Sequence, residues 1–141
     1  MKTLLILIFS ALMLLANSTD HQVKIIEKIV SEISLEKKIS IWSDDKDILK
    51  KLKSNNKFQT TTNCKEATFI ILRDKNKLLK ICSQSHIFVL RYKLLTDLPQ
   101  SFGALFWKKG RPNIVILEPR IKIQNIKVTK ALEPYLEEKI W

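Results

Sequence analysis

Three groups of residues have types and spacing that bear on chemistry. Asp44, Asp45 and Asp47 form an acidic cluster. Carboxylates this close can hold a divalent cation through their oxygens. They can equally cap a helix that starts beside them and interact favourably with its N-terminus. Capping accounts for the same residues without an ion and is the preferred reading. Cys64 and Cys82 lack both CxxC spacing and a nearby His cluster, which argues against zinc. Trp107, Lys108, Lys109 and Arg111 place an aromatic beside a basic turn, with Arg120 a little further on. Such a set can grip a phosphate, a carboxylate or an acidic protein surface. The plainer alternative packs Trp107 on a sheet, leaves the charges guarding an edge, and has Arg120 cap or ion-pair a terminal helix.

The remaining chemistry is sparse. His21 and His86 fall in no triad order, and His86 reads as a residue entering a strand. Neither a GxGxxG nor a GxxxxGK[ST] phosphate loop occurs. The residues therefore offer no catalytic set, and no metal or cofactor site is expected.

The elements that must position these groups follow from periodicity. From Asp20 to Ser34, apolar residues at 23, 25, 26, 29, 30 and 33 share one side of a helix, opposite Lys24, Glu27, Lys28 and Glu32. Lys38–Trp42 alternates as a strand. A helix runs from about Asp45 to Ser54, with Ile48, Leu49 and Leu52 apolar. Phe58–Thr62 is a weakly apolar edge strand. Ala67–Leu72 is a continuous apolar run, as expected of a strand covered on both faces. Asp74 can cap a helix reaching Ser83 with Leu78, Leu79 and Ile81 inward, and His86–Tyr92 is the next strand. Phe102–Trp107 and Ile114–Leu117 flank a Gly-containing basic turn and read as a β-hairpin. Glu118–Asn125 is a short helix, and Thr129–Trp141 a terminal helix that Pro134 kinks or places in an early turn.

Strands alternating with helices of this length predict an α/β fold with a mostly parallel sheet, a hairpin in the C-terminal half and a terminal helix. In this arrangement Cys64, before a strand, and Cys82, at the end of the following helix, lie at one edge of the sheet. A disulfide contributing about 3 kcal/mol and two buried thiols packing as small apolar residues are the alternatives.

Residues 1–18 read as a secretory leader rather than part of the fold. Lys2 gives the positive start, Leu4–Leu15 the apolar core, and Ala16-Asn17-Ser18 the small residues before a cut near Ser18. The apolar run is short for a bilayer span of about 20 residues. Residues 19–141 then form one exported, periplasmic domain. The chain holds 25 Lys and Arg against 14 Asp and Glu, a formal charge of +11. Lys dominates without an RNP, zinc-finger or Arg-rich motif, and export removes the usual nucleic-acid targets. The charge is read first as compositional bias over solvated faces and next as attraction to anionic lipid or an acidic protein partner in the envelope. Nucleic-acid binding ranks a distant third, and no nucleic-acid partner is expected.

The segments VKIIEKIVSEI, KISIWSDD, NCKEATFIIL, HIFVLRY, KGRPNIVILEPRIKIQNIKV and TKALEPYL follow one another in an order that resembles the YfiR-like periplasmic proteins. The strongest part is NIVILEPRIKIQNIKVTKALEPYL. The turn FGALFWKKGRP is bulkier and more basic than the family's usual Gly-rich one. The resemblance implies a small three-layer α/β/α sandwich that acts by binding, often as a homodimer, with no catalytic residues. It implies a regulatory module for an inner-membrane signalling protein, such as the periplasmic part of a diguanylate cyclase. A structural subunit of an envelope-spanning assembly, and then a small-ligand-binding domain, are the other readings.

Overall fold

The computed structural model describes residues 19–141; the leader reading concerns residues outside this range. Helix α1, described over residues 19–31, buries the stripe that its periodicity predicts. Val23, Ile26, Ile29 and Val30 are each at most 2% exposed. Glu27 shares that buried side and is held by Lys57 Nζ at 3.2 Å and by the Asn55 side-chain amide. A carboxylate removed from water needs such partners. A short strand, β1 (Ile33–Ser34), closes the helix and pairs antiparallel with β8 (Lys127–Val128).

The main sheet has seven strands. They are β2 (Ser40–Ser43), β3 (Gln59–Thr60), β4 (Phe69–Leu72), β5 (His86–Val89), β6 (Ser101–Lys108), β7 (Arg111–Leu117) and β9 (Leu136–Glu137). Their order across the sheet is β3-β2-β4-β5-β6-β7-β9, parallel throughout except for the β6–β7 hairpin. From β2 the chain passes through α2 (Lys46–Ser54) to β3 on one side, then returns to β4 on the other. The strand order thus reverses between β2 and β4, where doubly wound sheets open a crevice at their carboxyl ends.

Strand β4 is buried along its whole length. Phe69 and Ile71 enter a core with Ile26, Ile29, Ile48 and Leu52 from the two helices. Ile70 and Leu72 enter a second core on the opposite face with Cys64, Cys82, Leu94 and Leu95. The period-2 alternation of a strand thus divides one apolar run between two cores.

The second face has little α-helix. It is covered by 3₁₀ turns at Cys64–Glu66, Lys75–Lys77 and Lys80–Cys82, by the short α3 (Leu94–Asp97), and by Ile140 from the tail. The helix expected from Asp74 to Ser83 is therefore two separate turns. Asp74 caps a single 3₁₀ turn, its side chain accepting from the Asn76 amide. Leu78 and Leu79 then take extended backbone. Leu78 packs on the second core, while Leu79 and Ile81 face outward, 59% and 60% exposed.

The C-terminal segment differs from expectation for a related reason. After α4 (Glu118–Ile123), Lys130–Tyr135 is a 3₁₀ helix with Pro134 inside it, and the chain then extends into β9 beside β7. Proline supplies no amide and crowds the preceding turn, so the α-helix read over Thr129–Trp141 does not propagate.

The hairpin is the longest paired element. Its loop is only Lys109-Gly110, at φ 53° and 73°. Two consecutive left-handed residues make the type I′ turn that matches strand twist. Lys108 and Arg111 already lie in the strands as a facing pair. Lower down, the β5–β6 register slips by one residue, opposing Ile87 to Ser101 and Phe88 to Gly103. Phe102 is the extra residue, and its ring lies 5.7 Å from those of Phe69 and Phe88. A Cβ on Gly103 would come within 2.8 Å of the Val115 carbonyl oxygen and 3.0 Å of the Phe88 ring. Gly103 is thus required by close approach, Gly110 by its φ.

Candidate functional site

The parallel strands deliver polar residues to one place. Directly after β2 come Asp44 and Asp45, after β4 come Arg73 and Asp74, and beyond β5 comes Arg91. Together with Lys46, Asn76 and Lys77 they line a cleft of about 740 Å³ at the carboxyl edge of the sheet. A neighbouring hollow of about 410 Å³ shares Arg73, Asp74, Asn76 and Arg91 with it and adds Lys75, Lys93, Leu94 and Asp97.

Internal bonds consume the acids of this cleft. Asp45 is the N-cap of α2: one oxygen accepts from the Asp47 and Ile48 amides, each at 3.1 Å, and the other takes Arg73 Nε at 3.0 Å. Asp47 sits in the first turn of that helix. Asp44 does something that capping alone does not predict. Its two oxygens accept from the Arg73 and Asp74 amides at 2.8 and 2.9 Å, which ties the end of β4 to the end of β2. Asp74 accepts from the Asn76 amide at 3.0 Å. Arg73 also donates to Gln22 Oε1 at 3.2 Å, bringing the start of α1 to the same edge.

Among the described residues Lys46, Lys77 and Arg91 form no ion pair, and all three are exposed. Sequence reasoning singled out the acids and passed over these cations. The signal was their place in the chain, just beyond the C-terminal ends of three consecutive parallel strands.

The hairpin tip rises at the same edge, because β6 runs parallel to β5. Strand β5 ends its pairing opposite Ala104, so Leu105–Lys108 continue past it with only β7 alongside. Trp107 is 39% exposed and meets the His21 ring edge-on at 6.4 Å. Lys108, Lys109 and Arg111 are exposed and have no ion-pair partner among the described residues. These four keep the arrangement that their sequence implies: an aromatic beside three solvated cations.

Arg120 lies elsewhere. Its Nη1 donates to the carbonyls of Leu95 and Ser101 at 2.8 Å and, more weakly, to that of Leu98 at 3.3 Å. These carbonyls run from within α3 to the first residue of β6, so Arg120 caps this connection rather than a terminal helix. Burial lowers its pKa from the ordinary guanidinium value. Ser101, fully buried, bonds through its hydroxyl to the Leu98 carbonyl at 2.6 Å. Arg120 is thus drawn into the fold and separated from the hairpin group.

Cys64 and Cys82 are joined as a disulfide with Cα atoms 5.7 Å apart. Both are buried in the second core. His86 opens β5, and its Nδ1 lies 3.0 Å from Gln124 Oε1, while Gln124 Nε2 donates to the Gln100 carbonyl at 2.9 Å. That network joins α4 to the amino edge of the sheet, far from the cleft. Set against family models, curated proteins and solved structures, the chain finds no match.

Proposed function

We propose that this chain is an exported, non-catalytic interaction module that binds an inner-membrane signalling protein, with the hairpin tip as its principal contact. The observation that carries the reading is the hairpin itself. The two longest strands extend past β5 and present Trp107, Lys108, Lys109 and Arg111 without internal ion-pair partners among the described residues. Tryptophan and arginine carry much of the binding energy where proteins meet. Unpaired lysines add attraction toward an acidic partner and raise its association rate. A two-residue type I′ turn fixes the tip, so little conformational freedom is lost on docking.

The carboxylates near the sheet's carboxyl edge support the same direction. They are engaged in tying strands and capping a helix, which are tasks of architecture. The buried disulfide fits an oxidising compartment, in keeping with an N-terminal leader and a periplasmic location. The YfiR-like segment order supports regulation of a membrane-bound partner, a diguanylate cyclase or sensor among them.

Photocrosslinking in exporting cells tests the proposal, with reactive groups at positions 107 and 111. The expected product is an adduct with an inner-membrane protein that disappears when Lys108, Lys109 and Arg111 are all changed to Glu. Adducts only with a second copy of this chain would make the tip a homodimer surface and overturn the assignment. So would recovery in a large envelope assembly without a signalling protein, or adducts indifferent to charge reversal.

A further inference from the structure

We propose that the cleft between the ends of β2 and β4 binds a phosphate group, held by Lys46, Lys77 and Arg91 with the side-chain amide of Asn76. The inference goes beyond the hairpin contact and uses different residues. Three observations lead to it. The cleft lies where the strand order reverses, the position at which the carboxyl ends of a doubly wound sheet separate. Its volume, about 740 Å³, falls within the range of small-ligand sites. Its lining residues are Asp, Lys, Arg and Asn throughout, which calls for a polar ligand.

The sign of the ligand follows from how the lining groups are used. Asp44 has both oxygens on backbone amides, Asp45 is divided between the α2 amides and Arg73, and Asp74 holds the Asn76 amide. Both oxygens of Asp44 and Asp45 and one of Asp74 are turned inward, and lysine ammoniums beside them oppose a metal cation. The Asp47 and Ile48 amides in the first turn of α2 are likewise spent on Asp45, so they are not the anion's donors. What remains facing the cleft is a set of cations without partners among the described residues. An arginine offers a planar pair of donors and a lysine a mobile point charge, the combination that suits tetrahedral phosphate oxygens. Arg73, fixed between Asp45 and Gln22, holds the wall on which this set stands.

Titration of the exported protein with inorganic pyrophosphate, followed by calorimetry, tests the site. Vesicles of phosphatidylglycerol and phosphatidylethanolamine form a second arm. Saturable pyrophosphate binding is expected, weakened about tenfold by Arg91→Gln and similarly by Lys77→Gln, each removing one charge-assisted contact at an exposed position. Lys127→Gln, on β8, serves as the control and should leave it unchanged. Vesicle binding lost in the same two variants would identify the phosphate as a lipid headgroup's; pyrophosphate binding without vesicle binding would identify a soluble ligand. Absence of binding in both arms overturns the proposal, as does binding that Lys127→Gln weakens as much as Arg91→Gln. The hairpin reading survives either result, since its charge-reversal variant leaves the cleft intact.

Discussion

The two faces of the sheet are built by different means. One carries α1, α2 and α4, whose apolar stripes meet β2, β4, β5 and β6 over a broad aliphatic and aromatic core. The other is roofed by isolated turns, one four-residue helix and the last residues of the chain. Helices bring their own backbone hydrogen bonds, so the first face needs only side-chain packing. The turns satisfy few of their own groups, and the second face adds a disulfide and an arginine that collects three carbonyls. Local periodicity suffices to hold a layer in the first case. Cross-links distant in sequence hold it in the second.

The largest effect is expected on the helical face. Ile29→Ala removes a side chain that is 2% exposed and should cost about 3 to 4 kcal/mol in equilibrium denaturation. Nearly as large is the change on the other face from the double variant Cys64→Ala with Cys82→Ala, expected near 3 kcal/mol. Here hydrogen exchange separates the faces: protection should fall across the turns from Cys64 to Cys82 before it falls in α1. Uniform loss would break the distinction. Replacing Arg120 with Met retains the stem and strips the carbonyls of their donor, for a loss of about 2 kcal/mol visible as a lowered Tm. Gly103→Ala should cost roughly 1 to 3 kcal/mol by overpacking against Phe88 and the Val115 carbonyl. Lys109→Gly has the smallest expected effect and the opposite sign, a gain near 0.5 kcal/mol from relieving a left-handed residue. A loss there would show that the lysine contributes to the turn beyond its charge.

Much of the first face was legible in the chain. The spacing of Val23, Ile26, Ile29 and Val30 is a helix signature, and the run at Phe69–Leu72 has the uniform apolarity of a strand between two layers. Asp45 could be read as a cap because capping is a short-range bond. The second face was less so: Leu78, Leu79 and Ile81 occur at helical spacing, yet extended backbone at Leu78 and Leu79 interrupts the helix. Pro134 was a visible warning against the terminal helix, but nothing local told that the chain would extend into an added strand beside β7. Of the site residues, the hairpin group was apparent as a continuous run. The cleft was not, since Lys46, Lys77 and Arg91 belong to three separate connections.

By itself the sequence determined which segments are amphipathic, where the tight turns fall, and that the hairpin tip is basic and aromatic. These depend on neighbours within a few residues, where propensity, capping and turn chemistry act. Tertiary structure alone decided that Arg120 faces inward while Arg111 faces solvent. It also decided that Asp44 bridges two strands and that the reversal of strand order gathers three cations at one edge, none of them ion-paired among the described residues. Those outcomes depend on which strand lies beside which. Strand order is set by packing both faces at once, and no local window of the chain contains it.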